Sequence, residues 1–177
     1  FIRQDFLQYY RYTQKWVTLF EKDPFMIAIE TGHYIKGMHN LMGSHFDLAN
    51  HQKLTATLEE FEKFCNSSIV LNNVNNRIQC FVYRTISTFN KHFLEGSFTE
   101  GLQMIPEIEI KIKEYEIYMD RHRILVFDYK IACLYFGSGA YESAIDYLNK
   151  IINWKVDLRT DLQCYSRLLH LIAHYEL

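Results

Sequence analysis

His170 and His174 lie four residues apart, so on a helix both imidazoles share one face, a spacing that can hold a zinc ion. The residue after His170 is Leu171, so the glutamate of an H-E-x-x-H site is absent, and no third ligand is identifiable. His33, His39, His45 and His51 recur every six residues. A helix turns about 240° over such a step, so these rings scatter around the axis instead of converging. Glu59, Glu60 and Glu62, and likewise Glu107 and Glu109, alternate with apolar positions and read as solvated faces, not as acid–base pairs. Gly137-Ser138-Gly139 has no preceding strand and no following Lys, which makes it a turn and not a phosphate cradle. The cysteines, Cys65, Cys80, Cys133 and Cys164, are too widely spaced for a zinc knuckle or a CxxC motif. Each sits in an apolar helical pattern, as reduced thiols in a cytoplasmic core would. From these residues no catalytic group, metal or cofactor is expected.

The elements that carry them are helical. Among 177 residues there are two prolines and seven glycines, which suits long helices and argues against a loop-rich sandwich. Hydrophobic residues make up 49 %, enough for a continuous core. The net charge is −2 with both signs interspersed and no basic run, so nucleic acid and anionic lipid are not expected partners. The longest apolar runs, such as 131–136, fall far short of the roughly 20 residues that span a membrane. No signal-peptide pattern and no initiating Met are seen, and the chain reads as a piece of a longer protein.

Apolar spacing predicts helices over about 2–21, 25–43, 47–65, 74–94, 121–136 and 141–153, with a further one starting near Ser97 and a last one capped by Asp157 or Thr160. Asp23-Pro24 separates the first two. Met26, Ile29, Tyr34, Met38 and Leu41 form the apolar side of the second, and Gly43-Ser44 breaks it. Residues 108–113 alternate apolar and polar as a half-buried strand does, but Ile105, Ile108, Ile112, Tyr115 and Met119 also form one helical stripe. Ile110 and Ile117 form a second stripe, expected where a helix is touched on two sides. Helix is the preferred reading, with a kink or fresh start at Pro106, and whether 106–118 is one continuous helix is left open. No linker divides the chain, so residues 1–177 are expected to be one domain.

Residues 131–148 combine an apolar helix, a Gly-Ser-Gly turn and a second apolar helix. Asp128, Ile131, Ala132 and Tyr135 lie before the turn; Ala144 and Leu148 lie after it. Small Ala132 and Ala144 would let the paired helices approach closely, Tyr135 would pack in the hairpin, and Gly139 permits the tight turn. A copy lies 43 positions earlier: Phe93, Gly96, Phe98, Gly101, Leu102, Ile105 and Ile108. Leu54, Leu58, Phe61 and Phe64 form a third at an offset of 44. This pattern resembles the tetratricopeptide repeat (TPR), although the units are longer than that family's roughly 34 residues and Val156 stands where its closing Pro would be.

The resemblance implies an all-α, right-handed solenoid of antiparallel helix hairpins, TPR-like, with seven to eight helices, cut from a longer array. It further implies a concave groove lined by Tyr83, Ile86, Asn90 and Phe93 from one unit and Val126, Tyr129, Cys133 and Phe136 from the next. That apolar, aromatic lining suits an amphipathic helix or apolar segment of a protein or peptide. The expected function is a non-catalytic, cytoplasmic interaction scaffold or regulatory module. The alternatives are a domain that senses a small ligand or signalling peptide and, more weakly, a metal-dependent helical hydrolase built on His170 and His174. Oligomeric state is left open.

Overall fold

A computed structural model describes residues 5–154 and 159–177. Among these residues every regular element is a helix and there is no strand. Eight helices exceed ten residues, and three shorter ones occupy connections that the periodicity assigns to longer helices or to loops. The contacts group into two compact units, Phe1–Glu95 and Gly96–Leu177.

The first unit contains α1 (Phe6–Lys22), α2 (Phe25–Ile29), α3 (Thr31–Asp47), α4 (His51–Cys65), α5 (Ser68–Leu71) and α6 (Val74–Glu95). Asp5 caps α1, its carboxylate accepting from the Gln8 backbone N–H at 2.9 Å. Asn50 caps α4 through the Lys53 N–H at 3.1 Å. Helix α3 packs against α1, α4 and α6. Around it Ile35, Met38, Met42, Leu54 and Phe61 are fully enclosed.

Two expectations about α3 are corrected. The helix does not break at Gly43-Ser44 but runs on to Asp47. The buried Ser44 hydroxyl donates to the Leu41 carbonyl at 2.7 Å, and the Thr13 hydroxyl donates to Ser44 at 3.3 Å, so Ser44 is satisfied inside the helix. The chain breaks earlier instead, at Glu30 (φ −114°, ψ 41°). That break rotates Met26 and Ile29 off the stripe that buries Tyr34, Met38 and Leu41, and leaves them 37 % and 58 % exposed. The connection 66–73, expected to be irregular, includes α5.

The second unit contains α7 (Phe98–Leu102), α8 (Ile105–Tyr115), a 3-10 turn at Glu116–Tyr118, α9 (Arg121–Gly137), α10 (Tyr141–Ile152) and α11 (Thr160–Glu176). Residues 108–113 are helical, and α8 starts afresh with Pro106 in its first turn, where the missing N–H costs nothing. The stretch 106–118 is not one continuous α-helix, since it tightens after Tyr115. Ile105, Ile108 and Met119 are buried as the first stripe requires. The second stripe is not covered: Ile110 is 66 % exposed and Ile117 is 91 % exposed.

Helices α9, α10 and α11 pack on one another, and α7 packs on α9. Asp120 caps α9 through the Arg123 N–H at 2.8 Å. Gly139, at φ +82°, turns the chain between α9 and α10 in a conformation that side chains resist. Gly137 is needed for a different reason. A Cβ there would lie 2.4 Å from the Phe98 ring, so only glycine lets α7 lie this close to the end of α9. The possible cap Asp157 and the repeat position Val156 lie outside the described residues.

Candidate partner-binding site

Each sequence-predicted groove residue has a definite place. On α6, Tyr83, Ile86 and Phe93 are half-buried, and Asn90 is buried at 6 % exposure. The Tyr83 ring stacks on His39 of α3, with centroids 4.0 Å apart and planes 9° from parallel. It also packs on the core of the first unit. On α9, Val126, Tyr129, Cys133 and Phe136 are all half-buried. Val126 and Tyr129 pack on Leu125, Ile151 and Leu162, and Phe136 meets Tyr141 edge-to-face at 5.4 Å.

The hairpin residues are placed with equal clarity. Ala132 and Ala144 are fully enclosed on α9 and α10, and Tyr135 stacks on Tyr147 at 5.6 Å. The His170 and His174 rings meet edge-to-face at 4.5 Å. Among the described residues no three His, Cys, Asp or Glu side chains gather where they could hold a metal ion.

One apolar opening is a feature that sequence reasoning missed. Trp16, Leu19 and Phe20 of α1, Met26 of α2, Glu30, and His33 of α3 line a pocket of about 390 Å³ in the first unit. The geometry follows from the break at Glu30. Helix α2 is only five residues long and buries none of them, and its Met26 lines the opening instead of sealing it. Leu19 is 66 % exposed and Phe25 is 72 % exposed, in addition to Ile29.

The polar groups of the pocket are few and paired. Glu30 accepts from or pairs with His33 Nδ1 at 2.8 Å, and both side chains are largely solvated. An apolar hollow with one polar pair at its edge is the usual form of a site that takes an apolar group and orients it by one polar contact. The available signal was apolar residues on both sides of Asp23-Pro24. It was misassigned because Met26 and Ile29 fit the helical period of the following segment.

The second unit instead gathers ionisable groups. Glu109 accepts a hydrogen bond from the Tyr147 hydroxyl at 2.5 Å, and the Lys150 ammonium lies 3.6 Å from the centre of the Tyr147 ring. Burial, with Glu109 adding to it and Lys150 opposing, pushes the Asp128 carboxyl up to about 6. Loss of solvent pulls the Lys130 ammonium down to about 8. Burial, and then the Glu109 hydrogen bond, push the Tyr147 phenol above its ordinary range. Glu109, Tyr147, Asp128 and Lys150 interact across α8, α9 and α10.

Set against protein-family models, curated proteins and solved structures, the chain matches none of them. No helix among the described residues is long and apolar enough to cross a membrane.

Proposed function

We propose that the chain is a non-catalytic protein-interaction module that receives an amphipathic helix or apolar segment of a partner at the α1–α2 pocket. The observation that carries this reading is the pocket itself: four apolar or aromatic walls, Trp16, Leu19, Phe20 and Met26, with Phe25 and Ile29 of α2 also left open to solvent. Exposed apolar residues gathered around a hollow, in contrast to single scattered ones, are the ordinary mark of a docking surface. The architecture in this reading is a right-handed TPR-like solenoid of antiparallel hairpins. Support comes from α9 and α10, which are joined by three residues, pack on each other, and enclose a small residue each at Ala132 and Ala144. A reducing, cytoplasmic setting belongs to the same reading.

A second reading has one observation in its favour. A volume of about 390 Å³ lies in the range of small-molecule sites, so the same pocket suits a sensing domain for a small apolar ligand or signalling peptide.

The test is comparative affinity capture with the parent chain and Met26→Asp, both checked for unchanged helix content by circular dichroism. A charge in an apolar anchor pocket weakens binding by about 2 kcal/mol or more, so the partner falls at least about tenfold in the Met26→Asp eluate. Equal recovery of every captured protein rejects the docking site. Loss of a small molecule from the native mass spectrum of the purified parent, with no protein lost from the eluate, selects the sensing reading.

A further inference from the structure

Two thiols meet in the core of the first unit and serve no function described above. Cys65 is the last residue of α4 and Cys80 lies near the start of α6, helices that pack on each other. Both are buried, at 7 % and 3 % exposure, and each thiol acts on the other's proton affinity. They belong to one apolar cluster, so no water or third polar side chain is needed to bring them together. Fifteen positions separate them in the sequence, and the intervening stretch holds the four-residue α5 and the start of α6.

From this geometry we propose that Cys65 and Cys80 are a redox modification site, which a peroxide converts to a disulfide tying α4 to α6. The chemistry balances without any other reactant. The Cys65 sulfur attacks one oxygen of hydrogen peroxide and the O–O bond breaks. The departing hydroxide takes up the Cys65 proton as water, leaving a sulfenic acid on Cys65. The Cys80 sulfur then attacks the Cys65 sulfur and the S–O bond breaks. Hydroxide leaves with the Cys80 proton as a second water. The two thiols are oxidised by two electrons, the peroxide is reduced, and one S–S bond has formed.

The order of attack follows from what surrounds each sulfur. The Cys80 thiol, with help from the nearby Arg84 guanidinium, lowers the Cys65 thiol pKa, against burial and Glu62. The Cys65 thiol and burial raise the Cys80 thiol pKa, so Cys80 keeps its proton and acts second. Access is through α5. Ile69 and Leu71 of that turn are 38 % and 50 % exposed, Val70 plugs the core beneath them, and α5 contacts only α4 and α6 among the stronger packings. A short element with one buried anchor is the kind that opens locally.

The experiment uses the full chain with Cys133→Ser and Cys164→Ser, so that only the pair remains, confirmed folded by circular dichroism. Hydrogen peroxide is added and intact mass and non-reducing peptide maps are recorded. The expected result is loss of two hydrogens per chain, a Cys65–Cys80 linked peptide, a rate independent of protein concentration, and reversal by dithiothreitol. Adding Cys80→Ser should leave a Cys65 sulfenic acid that dimedone traps, whereas adding Cys65→Ser should abolish trapping. The linked form should melt at a higher temperature than the reduced form, because the bond restricts the unfolded chain. Addition of oxygen without a link, a link only between chains, or equal dimedone labelling of both single variants overturns the proposal.

Discussion

His45 and Asp128 occupy similar settings, each in a long helix packed against several others, yet the two units treat them differently. In Phe1–Glu95 the core is aliphatic, aromatic and thiol. His45 is buried there beside Tyr10, with its Nδ1 making no hydrogen bond. Burial, then the Lys53 charge, pull the imidazole down to about 4, so it is a neutral packing ring at ordinary pH. In Gly96–Leu177, Asp128 of α9 is half-buried near Glu109, Tyr147 and Lys150, and Lys130, two residues on, is half-buried near Cys133. Among its described residues the first unit buries neutral polar side chains, Thr13, Ser44, His45 and Asn90 among them, but no carboxylate or ammonium group. The second brings ionisable groups inward and spends its aromatic rings on them. Both units thus hold a group whose titration is coupled to folding, a neutral imidazole in the first and a half-buried carboxyl in the second.

The largest test of this contrast is in the first core. Phe61 is fully enclosed, and Phe61→Ala should cost about 3–5 kcal/mol in urea denaturation, from lost burial plus a cavity. A loss under about 1 kcal/mol would mean the core is not the packed one described. Next, Ala144→Leu inserts volume where α9 and α10 enclose it and should cost about 1–3 kcal/mol. Exposed Glu142, two positions away, should tolerate Ala within about 0.5 kcal/mol. If the two variants melt alike, the packing of α10 on α9 is wrong.

The pH dependence sharpens the comparison with smaller effects. The folded pKa of His45 is lowered from the ordinary 6.5 to about 4, so the unfolded chain binds more protons between those values. Stability from this ring is present above pH 6.5 and is lost as pH falls toward 4. Asp128 acts oppositely. Its folded pKa is raised from 3.8 to about 6, so the folded chain binds the extra proton, and this carboxyl stabilises progressively as pH falls from about 6 to 3.8. Asp128→Asn should remove that gain and raise stability at pH 7 relative to pH 4, by on the order of 1 kcal/mol. His45→Phe should instead flatten the acid-side loss. Denaturation curves at pH 4, 5.5 and 7 distinguish the two, and identical pH profiles for the parent and both variants would remove the contrast.

Legibility in the sequence followed the same division. Helix α10 buries one face, and its stripe through Ala144, Leu148 and Ile151 was visible from spacing alone, as was the turn at Gly139. Gly43-Ser44 misled because the signals of a break are composition, while the hydrogen bond from Ser44 to Leu41 that prevents one depends on burial. Met26 and Ile29 misled for the converse reason. Periodicity cannot register a single residue, Glu30, that turns the chain and resets the phase. The pocket exists because of that reset, so no reading of stripes could have found it. The Cys65–Cys80 contact joins residues whose spacing carries no motif, and only packing of α4 on α6 brings them together.

The most direct test of the docking claim is site-specific photocrosslinking in living cells with a benzophenone side chain at position 19 or at position 142. Leu19 borders the pocket and Glu142 lies on the solvent side of α10. The account predicts a discrete protein adduct from position 19 that disappears when Met26→Asp is added, and none from position 142. Identical adduct patterns from the two positions, or an adduct from position 19 that survives Met26→Asp, would contradict it.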